Sequence, residues 1–151
     1  MRVFSLSLVA CAFLVVLACR TPQSEDKSAS AAVTMPAKDS VDVVQKQVDA
    51  YNAQDLESFL ATYSDDAVIT SASTGQVVLQ GKDKMRERYG DVFRKYPNNR
   101  VRIAERRTEG DKIVMDHEIV TGRSPDRPDP WDVGWVRYEV EGGLIRKVQL
   151  P

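Results

Sequence analysis

Residues 51–69 read Tyr-Asn-Ala-Gln-Asp-Leu-Glu-Ser-Phe-Leu-Ala-Thr-Tyr-Ser-Asp-Asp-Ala-Val-Ile, and this stretch decides the fold. Its polar run 52–55 predicts a tight corner after a first helix. The Asp55 carboxylate can then accept hydrogen bonds from the free amides that open a second, short helix over 55–63. One face of that helix carries Leu56, Phe59, Leu60 and Tyr63. A strand is expected to begin at Ala67, so the stretch predicts a pair of helices laid over a curved sheet.

The N-terminus has the composition of a secretory leader. Residues 3–18 carry no charge and are mostly Val, Leu, Ala and Phe, and Arg2 precedes them. This apolar run is too short to span a bilayer comfortably, so residues 1–18 are predicted to be a signal peptide. The small Ala18 directly before Cys19 resembles a bacterial lipobox, in which the cysteine is lipidated. The alternatives are an ordinary signal peptide with an incidental Cys19, or a single membrane anchor.

A tether is expected to separate the leader from the folded domain. Residues 19–38 hold Cys19 and then hardly any large apolar side chain, which predicts a flexible segment. The globular domain is expected at 39–151. Lipid on Cys19 would place this domain at the bacterial cell envelope facing the periplasm, and Arg20 favours the outer over the inner membrane. The domain contains no cysteine, so its core must stabilise it without a disulfide.

Charge argues against a polyanion partner. Loss of residues 1–18 removes Arg2 alone, which leaves 20 Lys and Arg against 22 Asp and Glu, a net charge of −2. The cluster Arg100, Arg102, Arg106 and Arg107 has no interleaved aromatic residue and contains Glu105, so we interpret it as a solvated strand face and expect no nucleic acid. One histidine and no cysteine pair predict no metal, Asp65-Asp66 is interpreted as a helix end, and no cofactor is expected.

The remaining pattern predicts three helices followed by an antiparallel sheet. A helix is expected over 40–53, with Val41, Val44, Val48 and Tyr51 on its apolar face, and another over 81–96, with Met85, Tyr89, Val92 and Phe93 turned inward. After residue 99 the apolar period changes from 3.6 to 2. Strands are expected at 67–71, 76–79, 100–108, 112–121, 133–141 and 144–150. Three prolines in 122–132 predict a stiff loop.

Three segments carry a resemblance to a known family. They are Asn52-Ala53-Gln54-Asp55-Leu56 through Phe59 to Asp65-Asp66-Ala67-Val68, then Gly81 with Met85-Arg86-Glu87 and Tyr89, and finally Tyr138 to Val148 around Gly142-Gly143. Together they resemble the nuclear transport factor 2-like superfamily and, within it, the SnoaL-like and steroid delta-isomerase-like group. The resemblance covers residues 40–150. It implies an α+β, cystatin-like cone with three N-terminal helices on a strongly curved, mainly antiparallel sheet, and a mostly apolar pocket at the wide end.

The steroid isomerase chemistry of that group can be checked position by position. It requires a carboxylate base and two oxyanion donors, a tyrosine and a neutral aspartic acid. Carrying the family pattern onto this chain puts Gln47 at the tyrosine, Ser71 at the base and Val136 at the second donor. A serine hydroxyl is too weak a base for a carbon acid, and valine donates nothing. Ketosteroid isomerisation is therefore rejected.

His117, the only histidine, is the remaining candidate for catalysis. Its strand face is shared with Ile113, Met115 and Ile119, which predicts that it looks into the cone, where it could act as a general base. The alternative is a pocket-wall histidine with a satisfied hydrogen bond, because no orienting acid is evident. Asp116 and Glu118 share the opposite face and are expected to pair with Arg137 across the sheet.

The resemblance and the helix faces together suggest which residues line the pocket. The candidates are Gln47, Tyr51, Ser71, Tyr89, Met115 and Val136. A homodimer is expected through the outer sheet face, which would carry Asp116, Glu118, Trp135, Arg137 and Glu139.

Two hypotheses about function follow. The first is a membrane-anchored binding module that holds a small apolar ligand or a protein partner without catalysis. The second is a SnoaL-like isomerase or cyclase that acts on a cyclic apolar substrate with His117 as its base. Loss of the three steroid isomerase groups favours the first, so the expectation leans away from an enzyme.

Overall fold

The computed structural model describes residues 37–151. The predicted signal peptide, the lipidation at Cys19 and nearly all of the predicted tether lie outside the described residues. Within 37–151, no helix is long and apolar enough to cross a membrane. The described part begins at Ala37, two residues before the domain boundary expected from the sequence.

Three helices and six strands follow in the predicted order. The helices are α1 Ala37–Ala53, α2 Leu56–Ala61 and α3 Lys82–Lys95, and the strands are β1 Tyr63–Ser71, β2 Val77–Gln80, β3 Arg100–Glu109, β4 Ile113–Thr121, β5 Trp131–Glu141 and β6 Leu144–Leu150.

The six strands form one mixed sheet in the order β2-β1-β6-β5-β4-β3. β1 runs parallel to β6, and the other neighbours are antiparallel. Register shifts occur in every ladder, for example between Glu118 and Ile119 on β4. Such bulges bend strands and increase their twist. The predicted α+β cone, with helices packed on a strongly curved and mainly antiparallel sheet, is confirmed.

The corner in the opening stretch forms as its sequence predicts. Gln54 adopts a left-handed backbone with φ of 59°. Asp55 caps α2, because its Oδ1 accepts a hydrogen bond from the Ser58 amide at 3.0 Å. The apolar face of α2 turns inward, and Phe59 and Leu60 are buried.

The strand after this corner begins earlier than expected. β1 starts at Tyr63 rather than Ala67, and Asp65 and Asp66 are exposed strand residues rather than a helix end. The cause is a distant partner: Tyr63 lies opposite Ile145 of β6, whose amide donates to the Thr62 carbonyl at 2.8 Å.

An aromatic cluster joins the three helices to the sheet. Phe59 is fully buried, and its ring centroid lies 4.5 Å from Tyr89, 5.1 Å from Tyr63 and 5.9 Å from Phe93. Tilted and edge-on aromatic pairs of this kind contribute beyond their buried area. The predicted inward faces of α1 and α3 are confirmed by this packing, which also forms one wall of a cavity.

The proline loop, residues 122–130, packs closely against the end of α3. Gly122 has φ of 63°, and a Cβ there would lie 2.6 Å from the Asn98 carbonyl oxygen. Only glycine fits both the left-handed backbone and this close approach. The contact holds the start of the loop, and therefore Arg123, beside the wide end of the cone.

Candidate functional site

A cavity of about 500 Å³ lies between the helices and the inner face of the sheet. Its deeper wall is built from aromatic and aliphatic side chains, and its solvent-facing end is built from the proline loop and the end of β6. The lining residues are Gln47, Tyr51, Tyr63, Tyr89, Val101, Glu118, Val120, Arg123, Arg127, Trp131, Val133, Tyr138, Val148, Leu150 and Pro151. A concave, largely apolar space with a few convergent polar groups is typical of a small-molecule site.

Glu118 is the one acidic residue in that lining. β4 turns its carboxyl inward, where the Tyr138 hydroxyl donates a hydrogen bond to Oε1 at 2.5 Å. Burial raises the pKa of Glu118 to about 7 and the nearby negative charge of Asp116 adds to the rise, while the bond from Tyr138 and the charge of Arg106 oppose it. A carboxyl with such a pKa exchanges protons readily at neutral pH.

An ion pair lies next to Glu118 on the same face of the sheet. Asp116 is fully buried, and Arg106 of β3 donates to both of its oxygens at 2.7 Å. Arg106 also donates to the Gln45 side chain of α1 at 2.8 Å. This two-pronged contact joins β3, β4 and α1, and it fixes the strand segment that presents Glu118.

Hydroxyl groups surround the carboxyl of Glu118. Tyr51, Tyr63 and Tyr89 all line the cavity, and burial raises the pKa of each, so they are protonated donors at neutral pH. The Tyr51 hydroxyl oxygen accepts bonds from Asn99 and, at 3.3 Å, from Arg123. Its own proton remains free to donate.

Gln47 adds an acceptor to the cavity wall. Its side chain is buried, and its Oε1 has no hydrogen-bond partner among residues 37–151. A buried oxygen without a hydrogen-bond partner lowers the stability of a protein. A bound molecule that carries a donor would satisfy it.

A sequence comparison places residues 44–148 in one family. This chain belongs to the SnoaL-like domain family. A search of curated protein sequences found no match.

Solved structures support the same fold for this SnoaL-like domain. A cystatin-fold protein from Novosphingobium aromaticivorans is 28% identical, with a TM-score of 0.65 over 78% of this chain and 98% of its own. A candidate polyketide cyclase from Sinorhizobium meliloti is 19% identical, with a TM-score of 0.62 over 78% of this chain and 100% of its own. A candidate ketosteroid isomerase from Kribbella flavida is 18% identical, with a TM-score of 0.59 over 76% of this chain and 78% of its own.

Some of the pocket candidates predicted from the sequence lie at the cavity and some do not. Gln47, Tyr51 and Tyr89 line it. Ser71 lies outside the lining, where its hydroxyl is 2.9 Å from that of Ser73 in the turn after β1. Val136 is buried in the core opposite Asp116, also outside the lining.

The predicted inward orientation of His117 is wrong, and with it that of Met115. His117 Nε2 lies 2.8 Å from Asp132, and its ring lies 5.4 Å from the ring of Trp135, on the outer face of the SnoaL-like domain. Asp116 and Glu118 point inward instead. Their expected pairing with Arg137 is therefore also wrong, and Arg137 bonds to Glu139.

The exchange of the inward and outward faces of β4 has a physical cause. Both faces of β4 carry apolar residues, and the prediction rested on the face of Ile113 and Ile119 alone. Val114 and Val120 lie on the other face and are the buried ones. The neighbouring run Val136, Tyr138 and Val140 on β5 is buried in register with them, and it was the signal that could have identified Glu118 as inward.

The residues that the structure describes include no group of three His, Cys, Asp or Glu side chains able to hold a metal ion. The lining of the cavity offers one carboxyl, several phenols and two arginines.

Proposed function

We propose that this SnoaL-like domain binds a small apolar carbonyl compound in its cavity and moves a proton on it with Glu118. The observation that carries the proposal is the Glu118 carboxyl in the cavity wall, held by the Tyr138 hydroxyl among mainly apolar and phenolic side chains. This differs from both hypotheses drawn from the sequence. It keeps the apolar ligand of the first and the proton transfer of the second, and it replaces His117 with the neighbouring residue.

The position of Glu118 suits a general base. Catalytic proton transfer is most efficient when the pKa of the group lies near the working pH, and burial brings that of Glu118 to about 7. The carboxylate would take a proton from the carbon beside the carbonyl group. The electron pair of that C–H bond becomes a C=C bond, and the carbonyl oxygen becomes an enolate oxygen.

The enolate oxygen needs donors, and the cavity supplies them. The free proton of the Tyr51 hydroxyl can donate to it, and Tyr63 and Tyr89 present further phenols in the same lining. Donors fixed before the reaction lower its barrier because they need no reorganisation. When the carbonyl compound is β,γ-unsaturated, the enolate is a dienolate, and the proton held by Glu118 can return to its γ-carbon. The C=C bond then moves into conjugation with the carbonyl group, which completes an isomerisation.

Exchange of carbon-bound protons tests the proposal without knowledge of the natural substrate. The full chain would be incubated in D₂O with β-tetralone, an enolisable bicyclic ketone, and loss of the α-proton signals followed by NMR. We expect exchange above the buffer rate that rises with pH through about 7, where Glu118 loses its proton. Glu118→Gln should reduce the protein-dependent rate by at least about 10²-fold.

His117→Gln is the matched control, because it alters the adjacent residue on the opposite face. Its exchange rate should equal that of the parent. Loss of exchange in His117→Gln and not in Glu118→Gln would support the base predicted from the sequence. An absence of protein-dependent exchange in the parent would refute proton transfer and leave a binding module.

We also propose the envelope location that the leader predicts. The support is the uncharged run 3–18 followed by Ala18-Cys19. Cells that express the full chain with labelled palmitate should incorporate label, and Cys19→Ser should abolish it. Cys11→Ser is the control and should leave labelling intact, whereas label retained in Cys19→Ser would refute lipidation at Cys19. The homodimer stays a prediction. Its outer face would now carry His117 in place of Asp116 and Glu118, beside Trp135, Arg137 and Glu139.

A further inference from the structure

A strongly basic groove lies next to the cavity. It has a volume of about 480 Å³ and shares Arg123, Arg127, Trp131 and Leu150 with the lining of the cavity. Arg88 and Lys95 of α3 line its other side. We call this space the basic groove. The cavity and the basic groove therefore lie side by side, the first largely apolar and the second cationic.

Within the part of the chain that the structure describes, the four cations of the basic groove have no carboxylate partner. Among residues 37–151, none of Arg88, Lys95, Arg123 and Arg127 lies within 4.0 Å of a carboxylate oxygen. Neighbours on the same helix behave differently, since Arg86 pairs with Glu57 and Arg94 with Asp91. Asp91 is the one acidic residue in the lining of the groove, and Arg94 already binds it.

Contacts with aromatic side chains hold several of these cations in place. The Arg127 guanidinium lies 4.0 Å from the ring centroid of Trp131, and Lys95 Nζ lies 5.3 Å from that of Tyr96. Arg123 donates to the Tyr51 hydroxyl at 3.3 Å. These contacts position positive charge without cancelling it. Like charges held together repel each other, and a bound anion would relieve that repulsion.

We propose that the ligand of this site is an apolar molecule with an anionic group, whose carboxylate or phosphate binds in the basic groove while its apolar body enters the cavity. Arginine suits both anions because its planar guanidinium can donate two parallel hydrogen bonds. The inference rests on the proposed function for the place of the apolar body. It adds the chemical class of the ligand and assigns its recognition to Arg88, Lys95, Arg123 and Arg127.

Matched probes separate charge from apolar contact. Naphthylacetate and naphthylacetamide have nearly the same shape and differ in charge, and naphthyl phosphate carries the alternative anion. Their dissociation constants for the full chain would be measured by calorimetry at two salt concentrations. We expect the acid to bind at least about tenfold more tightly than the amide, because only the acid can form charge-assisted hydrogen bonds with the groove. The advantage should shrink at high salt. The ratio of phosphate to acid shows which anion the groove prefers.

Two double variants test the groove from its two sides. Arg88→Gln/Lys95→Gln and Arg123→Gln/Arg127→Gln should each weaken binding of the acid about tenfold or more and so bring its affinity close to that of the amide. Lys84→Gln is the control, because it removes a charge from the same helix outside the groove, where Lys84 pairs with Glu87. Unchanged unfolding midpoints would confirm that the variants are folded.

Equal affinity of the parent for the acid and the amide overturns the inference. A preference that both double variants leave intact overturns it as well. These outcomes are distinct from failure of the proposed function, because equilibrium binding requires no proton transfer. If the protein prefers the acid but does not exchange the protons of the ketone, only the proposed proton transfer is refuted. If it exchanges these protons but does not prefer the acid, only the proposed recognition of an anion in the basic groove is refuted.

Discussion

Replacement of Asp116 by alanine should lower the free energy of unfolding by about 3–5 kcal/mol. Asp116 is fully buried, and both of its oxygens are bound by Arg106 at 2.7 Å. The substitution removes the anion and leaves the Arg106 guanidinium, whose side chain is 19% exposed, without its partner. An unpaired charge that is largely withdrawn from water is more costly than the pair itself was favourable. Urea unfolding, followed by tryptophan fluorescence and circular dichroism, measures the loss.

A second ion pair on β3 provides the control. Arg107 and Glu105 also contact each other at 2.8 Å, but both side chains are more than half exposed. Glu105→Ala should therefore change the free energy of unfolding far less than Asp116→Ala does. A similar loss in Asp116→Ala and Glu105→Ala would contradict the assignment of the Asp116–Arg106 pair as a structural support of β4.

Glu118→Gln should become progressively more stable than the parent as the pH rises from 5 to 8. Burial raises the pKa of Glu118 from an ordinary value of 4.5 to about 7 in the folded protein. The folded state therefore holds this proton more tightly than the unfolded chain does. The stabilisation of the folded state by this bound proton is fully present below pH 4.5 and is lost as the pH rises through about 7. The free energy of unfolding lost over this range is on the order of 3 kcal/mol. Glutamine cannot ionise, so the variant lacks this loss.

The measurement is the difference in unfolding free energy between variant and parent across this pH range. Its pH dependence separates the ionisation of Glu118 from any constant effect of the changed contact with Tyr138. Glu57→Gln is the control, since the hydrogen bond from Arg86 lowers the pKa of Glu57 and keeps it ionised throughout the range. If the difference in unfolding free energy between Glu118→Gln and the parent does not change with pH, the carboxyl of Glu118 is not held neutral in the folded protein.

Local signals were sufficient to predict the helices and most of the order of elements. The cap at Asp55, the corner over 52–55 and the proline loop each depend on a few adjacent residues. These predictions agree with the structure, except that residues 131–132, predicted as loop, open β5. The start of β1 could not be found in this way. Tyr63 joins a strand because of Ile145 on β6, and no feature near residue 63 indicates that partner.

The candidate site was partly predictable for the same reason. Gln47, Tyr51 and Tyr89 lie on helices whose apolar period marks the inner face, and they line the cavity. β4 offered two nearly equivalent faces, and a strand reversed by one residue exchanges all its inward and outward side chains. The burial of Val114 and Val120, which follows from the neighbouring β5, decides between the faces and brings Glu118 into the site.

The parallel pairing of β1 with β6 has a consequence for the order of folding. Ser64 and Ile145 are 81 residues apart along the chain, yet their strands lie side by side near the middle of the sheet. During synthesis on a ribosome, β1 could not pair with β6 until residues 144–150 had emerged. Contacts between such distant segments form slowly, because a long loop must close first. Since Leu150 and Pro151 also line the cavity, the binding site would be completed among the last events of folding.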